Sequence, residues 1–204
     1  MNRLIIIGAG GHGRVVADIA EKIGIYESIC FLDDADLDKS GHYNVIGRVC
    51  DYTDYMQDFC FIVAIGHASI RKQIQAELEE KGARLATLIH PAAVLGSRVQ
   101  IGQGSVVVAG AVIGPDVVIG KGVIVNTCSS VDHDCCIGDF SHISVGAHVA
   151  GTVSIGAESM IGAGAVISNN ISICSKCVIG AGAVVVRNID EQGTYIGVPA
   201  QKNN

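Results

Sequence analysis

Residues 129–134 read Ser-Ser-Val-Asp-His-Asp. Imidazole is the side chain best suited to act as a general base near neutral pH. A carboxylate beside it, here Asp134, can hold the tautomer of His133 and stabilise the imidazolium that forms when a proton is taken. His142 and His148 follow, so three histidines fall within residues 133–148, a stretch otherwise poor in bulky polar side chains. A second set lies near the N-terminus. Gly8, Gly10 and Gly13 satisfy G-x-G-x-x-G within "GAGGHG", a loop whose backbone N–H groups can receive phosphate at a helix start. Asp33 and Asp34 follow an apolar run, where an acid at a strand end can bond a ribose or a base edge.

The first set is positioned by a repeat. From Ala93 to Asn188 the chain divides without insertion into hexapeptides, among them AVLGSR, VQIGQG, AVIGPD, SSVDHD, CCIGDF, SHISVG and CVIGAG. The third position is always Leu, Ile or Val, the first is small or apolar, and the fourth is most often Gly. In an extended strand the first and third positions share a face, here the inward one. The fourth position is expected to make the bend, with Gly tolerating the unusual backbone angles. Three strands complete a coil of eighteen residues, and stacked coils about 4.8 Å apart build a prism on the order of 25 Å tall. Within SSVDHD, Ser129 and Val131 point inward, while His133 and Asp134 fall at a corner, where side chains can point out. His142 and His148 also take outward slots. Outward Val106, Val112, Val118 and Ile124 form apolar stripes, which favour burial in a closed symmetric assembly.

The second set sits on an α/β segment. "RLIII", the glycine loop and "RVVADIAEKIG" read as strand, loop and helix, with Val15, Val16, Ile19, Ala20 and Ile23 along one side. "SICFLDD" and "FIVAIG" read as further strands, and "ASIRKQIQAELEEKG" as a second helix ending near Gly82. Alone, this pattern fits an NAD-binding oxidoreductase. The segment ends near Arg84, however, with room for only half of a doubly wound sheet, which suits a mononucleotide or a nucleotide-sugar better. Two domains result: a Rossmann-like nucleotide-sugar-binding domain over residues 1–85, and a hexapeptide-repeat β-helix with a C-terminal cap over 86–204.

Composition narrows the choices. The net charge is −6 with no run of Lys or Arg, which argues against nucleic acid as a partner. No stretch approaches 18 consecutive apolar residues, and the N-terminal apolar run is too short for a signal peptide. A cytoplasmic protein without membrane insertion is expected, its eight cysteines reduced. "CSKC" (Cys174 to Cys177) has the spacing of half a zinc site but lacks a second pair, so no metal is expected.

The repeat resembles the left-handed β-helix of the hexapeptide-repeat acyltransferases, a likeness that implies the left hand and a homotrimer. Through "GAGGHG", "FLDD", "AIG", "IHPAA", "NTCSSVDHDCCIGDFSHISVGAHVAG" and "YIGVPA", the chain is similar to the sugar acetyltransferases of bacterial surface-glycan pathways. These include the bacillosamine-pathway N-acetyltransferases and the sialic acid O-acetyltransferases. The resemblance implies acetyl-CoA as co-substrate and His133 as catalytic base, its basicity raised by Asp134, which stands where some members have Glu. It implies that His142 contacts acetyl-CoA and that backbone near Gly151, Ala163 and Ala181 cradles pantetheine. It also implies that Gly10, Gly11, His12, Asp33, Asp34 and Gly66 bind the nucleotide-sugar. The activity expected is acetyl transfer to the amino group of a UDP-linked 4-amino-4,6-dideoxy sugar. Sialic acid O-acetylation and a non-catalytic nucleotide-sugar-binding protein are the alternatives.

Overall fold

The computed structural model describes residues 2–35 and 39–203. They pack as two compact units, Met1–Pro91 and Ala92–Asn204. The first unit extends past the expected end at residue 85. The chain at 84–86 bonds along Phe61 (Phe61 N–H to Arg84 O and Ala86 N–H to Phe61 O, both 2.8 Å), and the short strand Leu88–Ile89 follows.

The first unit contains β1 (Asn2–Ile7), α1 (Gly11–Ile23), β2 (Tyr26–Leu32), the small hairpin β3 (Lys39–Ser40) and β4 (Tyr43–Asn44), a 3-10 helix (Val49–Tyr55), β5 (Phe59–Val63) and α2 (Ala68–Glu80). The parallel sheet runs β2-β1-β5. Its central strand is fully buried from Leu4 to Ile7, as expected of a parallel strand covered on both sides. The half-size sheet matches the sequence reading. On α1 the buried side chains are Val16, Ala17, Ile19 and Ala20, whereas Val15 is exposed.

The second unit is a parallel β-solenoid of two-residue strands, from Val94–Leu95 to Val184–Val185. Each residue pairs with the one eighteen further on, as in Val94↔Val112↔Ser130↔His148. The strands fall into three stacks. The first face carries positions 94, 112, 130, 148, 166 and 184, the second 100, 118, 136, 154 and 172, and the third 106, 124, 142, 160 and 178. First and third hexapeptide positions are buried from Ser105 and Val107 to Ala183 and Val185. In the first coil Leu95 stays 39% exposed, because no coil lies beneath it.

The bend does not come from the fourth position. The left-handed backbone falls at the sixth: Arg98, Asp116, Cys128, Asp134, Phe140, Thr152, Glu158, Asn170 and Lys176 have φ between 52° and 61°, and Gly104, Gly110, Gly122, Gly146, Gly164 and Gly182 take the same slot in other hexapeptides. The fourth-position glycines answer a different constraint. A Cβ on Gly96, Gly138 or Gly156 would lie 2.4–2.5 Å from the backbone nitrogen of the next coil's corner. Glycine is there because successive coils approach too closely for a side chain.

Small polar residues in first-position slots bond coil to coil. Ser105 Oγ donates to Gly120 O and accepts from Val123 N–H, and Ser141 and Ser159 repeat this two and three coils on. Cys135 Sγ takes the same role toward Ala150 O and Val153 N–H. Cys174 and Cys177 are free thiols with sulfurs 3.4 Å apart. Among the described residues no group of three or more His, Cys, Asp or Glu side chains could hold a metal ion. None of the described helices is long and apolar enough to cross a membrane. The expected apolar stripe is also redistributed. Val112 and Val118 are exposed at 45% and 40%, while Val106 and Ile124, both on the third face, are buried. An outward slot therefore does not by itself leave a side chain in solvent.

Candidate active site

The turn after Ser130–Val131 carries Asp132, His133 and Asp134, all exposed. The corner lies between the first and second faces. Asp134 supplies its left-handed residue, a conformation Asp tolerates better than most residues. The turn swings the Asp134 carboxylate back, and His133 Nδ1 lies 2.8 Å from Asp134 Oδ2. A carboxylate can only accept, so Nδ1 carries the proton and Nε2 is left with its lone pair. The shorter Asp side chain thus reaches the ring. Asp132 Oδ1 accepts the backbone N–H of His133 at 2.8 Å. The bond to Asp134, then the charge of Asp132, hold the imidazole pKa above its usual value, making Nε2 a stronger base.

The coil above has Gly151 directly over His133. A Cβ there would lie 2.5 Å from Nε2 and 2.6 Å from Cε1. Gly151 thus leaves room for the base itself, a role the sequence reading did not give it. His142 lies on the third face, away from this corner. Its Nε2 is 3.1 Å from Asn126 Nδ2. Asn126 Oδ1 accepts Thr127 N–H at 2.8 Å, which orients the amide so that its NH2 faces the imidazole. Asn126 escaped the sequence reading. Its one signal is a polar residue in a fourth-position slot usually held by glycine. Ala163 and Ala181 stack exposed at the corner between the third and first faces. One chain therefore brings His133, Asp134 and Gly151 together on one corner, and sets His142, Ala163 and Ala181 on the third face and its edge.

In the first unit, Gly10, Gly11, His12, Asp33, Asp34 and Gly66 all line one cleft of about 400 Å³. The glycines of the loop divide by cause. Gly8 has φ +105°, and a Cβ on Gly13 would meet Gly8 O at 2.0 Å, so these two serve backbone packing. Gly10 and Gly11 have open space where a Cβ would be. No side chain caps the start of α1, so its first N–H groups remain available for an anion.

Asp33 is committed to the loop: Oδ2 accepts Ala9 N–H at 2.6 Å and Oδ1 accepts Ala35 N–H at 2.8 Å. Asp34 Oδ1 accepts Val49 N–H at 3.0 Å. Buried Arg71 donates to Ile65 O and Gly66 O at 2.7 and 2.9 Å and so shapes the far wall. Burial lowers its pKa to about 10. Burial, and then the charge of Arg71, lower the His12 pKa to about 4. That ring is neutral at physiological pH, and its buried Nε2 has no hydrogen-bond partner among the described residues.

A nucleotide-type half domain joined to a hexapeptide solenoid with an exposed His–Asp pair defines a class, the β-solenoid acyltransferases that act on nucleotide-linked acceptors. Residues 3–78 match the PglD N-terminal domain family. The chain is similar over its full length to the acetyltransferase domain of PglB from Neisseria gonorrhoeae FA1090, with 43% identity, TM-score 0.97 and 100% of both chains covered. It is also similar to PerB from Caulobacter crescentus, solved in complex with CoA and GDP-perosamine, with 33% identity, TM-score 0.95, and 100% of this chain and 98% of that one covered. A curated relative, the UDP-N-acetylbacillosamine N-acetyltransferase of Bacillus subtilis (strain 168), is 33% identical over 113 residues. That match spans 53% of this chain and about half (52%) of the relative's length. The chain belongs to the hexapeptide-repeat, left-handed β-helix family of sugar N-acetyltransferases.

Proposed function

We propose that this protein transfers acetyl from acetyl-CoA to the amino group of a nucleotide-linked 4-amino-4,6-dideoxy sugar, UDP-linked, for surface-glycan biosynthesis. The observation that carries this is the 2.8 Å His133–Asp134 contact at an exposed corner, which leaves Nε2 free to take a proton. The acceptor nitrogen attacks the thioester carbonyl, a C–N bond forms, and the nitrogen's proton passes to His133 Nε2. Asp134 stabilises the imidazolium. Backbone N–H groups at a coil corner steady the oxyanion. The C–S bond then breaks and CoA leaves as its thiol with the proton from His133.

The two units have one task each. The first holds the nucleotide, its diphosphate on the free N–H groups around Gly10, Gly11 and His12. A uridine assignment is supported by the acidic pair. Asp33 has both oxygens engaged with backbone N–H groups, and Asp34 has Oδ1 engaged, among the described residues. One carboxylate oxygen suits the single N–H of uracil better than the paired N–H groups of guanine. Complexes with GDP-perosamine in the Caulobacter relative make GDP sugars the necessary comparison.

His133 and His142 lie on different sides of one solenoid. We therefore assign the acetyl-CoA channel, with His142, Ala163 and Ala181, to one subunit of a homotrimer and His133 to its neighbour. Exposed Val112 and Val118 supply apolar surface for such an assembly. The test is thiol release from acetyl-CoA with UDP-, GDP- and CMP-linked amino sugars and free sialic acid. Turnover with a UDP-linked amine, lost by about 10²–10⁴-fold in His133→Ala, is the expected result. Turnover only with sialic acid, or full activity in a folded His133→Ala protein, refutes the reading.

A further inference from the structure

We propose that Cys174 and Cys177 form a redox-active dithiol, oxidised to an intramolecular disulfide by a low-molecular-weight disulfide, and that the new bond locks the C-terminal cap onto the last coils. The "CSKC" segment makes one corner of the solenoid, between Ser172–Ile173 on the second face and Val178–Ile179 on the third. Ser175 and Lys176 are its turn residues, and Lys176 has φ 61°, as the third residue of a type II turn requires. Such a turn brings its first and last Cα atoms within about 7 Å, and a disulfide spans about 4.4–6.8 Å between Cα atoms. The two sulfurs meet at 3.4 Å. Cys135 and Cys136 are the contrast: they are adjacent, one is buried and the other exposed, so their sulfurs face opposite sides of the chain. The backbone of the dithiol is held on every side. Cys174 N–H donates to Ile189 O at 2.8 Å, and Cys174 O accepts from Ser159 Oγ at 3.2 Å. Cys177 N–H donates to Ser159 Oγ at 3.2 Å, and Cys177 O accepts Met160 N–H at 2.8 Å. Closing the bond therefore asks for side-chain rotation rather than a change of fold.

The two thiols have different parts. Cys174 is half-buried and Cys177 buried, so Cys174 meets the oxidant. Its thiolate attacks one sulfur of the small disulfide, and the other sulfur leaves as a thiolate. Cys177 then gives its proton to solvent and attacks Cys174 Sγ, which releases the second small thiolate. Two protein thiols are oxidised and one small disulfide is reduced to two thiols. Burial, and then the hydrogen bond with Cys174, push the Cys177 pKa up to about 11. Cys177 is thus a poor first nucleophile and suits the closing step. The cap hangs on this corner. Ile189 pairs with Ile173, Val178 N–H donates to Gly193 O at 2.9 Å, and Gly180 N–H donates to Tyr195 O at 2.8 Å. Cys177 Sγ lies 3.7 Å from Glu191 O, which also accepts the Tyr195 hydroxyl at 2.8 Å. Oxidation removes a weak S–H donor and leaves that carbonyl satisfied. A coil at the end of a solenoid has a stacking neighbour on one side only, so it is the place where fraying starts. A ring closed through Cys174 and Cys177 restrains the corner to which residues 189–195 are bonded.

The experiment uses the full chain with oxidised glutathione as the probe. It needs no sugar substrate, so its outcome is independent of the acetyl-transfer reading. Cys174→Ser and Cys177→Ser are the controls. Serine already fills the fourth-position slot at Ser144 and Ser168 and the first-position slot at Ser105 and Ser141, so both variants keep the fold. After incubation the remaining thiols are blocked, and trypsin cleaves after Lys176, between the two cysteines. The expected product is the peptide Cys177–Arg187 joined by a disulfide to the peptide that ends at Lys176. The intact chain should show two fewer free thiols than the eight of its reduced form. Its melting temperature should rise by about 2–6 °C, and dithiothreitol should reverse both changes. Neither variant should give the joined peptides or the rise. Four results overturn the proposal: all eight thiols persisting, a glutathione adduct on Cys174 that never closes, a bond to another cysteine or another chain, or the intended disulfide with no rise in melting temperature.

Discussion

Gly151→Ala tests the active-site geometry through one methyl group. Gly151 does not have a positive φ, so alanine fits its backbone without strain. The added Cβ would lie 2.5 Å from His133 Nε2, 2.6 Å from Cε1 and 3.1 Å from Cδ2. An ordinary contact begins near 3.4 Å, so the ring must retreat by about 1 Å. The ring is free to do so, because the His133 side chain is 52% exposed. Retreat strains the 2.8 Å bond to Asp134 and moves Nε2 off the line of proton transfer. A displacement of about 1 Å at a reacting group costs on the order of 10²-fold in rate. The expected result is a kcat lower by about 10²-fold, little change in either KM, and a melting temperature close to wild type. NMR titration of the His133 Cε1–H should show its pKa falling back toward the ordinary value. Gly138→Ala is the contrast: its Cβ would meet the backbone nitrogen of Ala157 at 2.5 Å, which cannot retreat, so that variant loses stability. A Gly151→Ala enzyme with kcat within twofold of wild type would refute the placement of His133 as base against this glycine.

Asp134 and Asp132 raise the His133 pKa, so protonation silences the base until the pH exceeds that raised value. The acid limb of the kcat profile should lie above the free-histidine value of 6.5, and Asp134→Asn should shift it to lower pH while lowering the plateau; an unmoved limb counts against the pairing. Gly13→Ala places a Cβ 2.0 Å from Gly8 O; it should unfold or open the first unit and abolish nucleotide-sugar binding, whereas Gly10→Ala, with open space at its Cβ, should keep the fold and weaken only the binding, as thermal melts and calorimetry would show. His133→Ala and His142→Ala subunits, each weak alone, should regain activity when refolded together, because mixed trimers contain an interface with both histidines intact. With subunit exchange verified, activity never above the sum of the separate mutants rules out a shared site.

The solenoid was legible in the residues because its rule is local. Each hexapeptide states its own inward and outward positions, and sixteen in one register leave no other packing. The His133–Asp134 pair was legible for the same reason, since a corner turns adjacent residues toward each other. What stacking decides could not be read from neighbours along the chain. Gly151 lies over His133 only because eighteen residues close one coil. Asn126 meets His142 only because the next coil stacks its third-face strand directly on Ile124–Val125. The fourth-position glycines, read as bends, are contacts with the coil above, and the bend itself falls on the sixth residue, often a non-glycine. In the first unit the motif located the cleft. Only the folded chain separates Gly10 and Gly11, which face open space, from Gly8 and Gly13, which serve packing, and shows Asp33 held by the loop's own N–H groups. Side-chain direction along one strand or turn is set by backbone geometry a few residues long, and sequence patterns record it. Which atoms fill the space beside a given side chain is set by the neighbouring coil or strand, and that choice exists only once the chain has closed on itself.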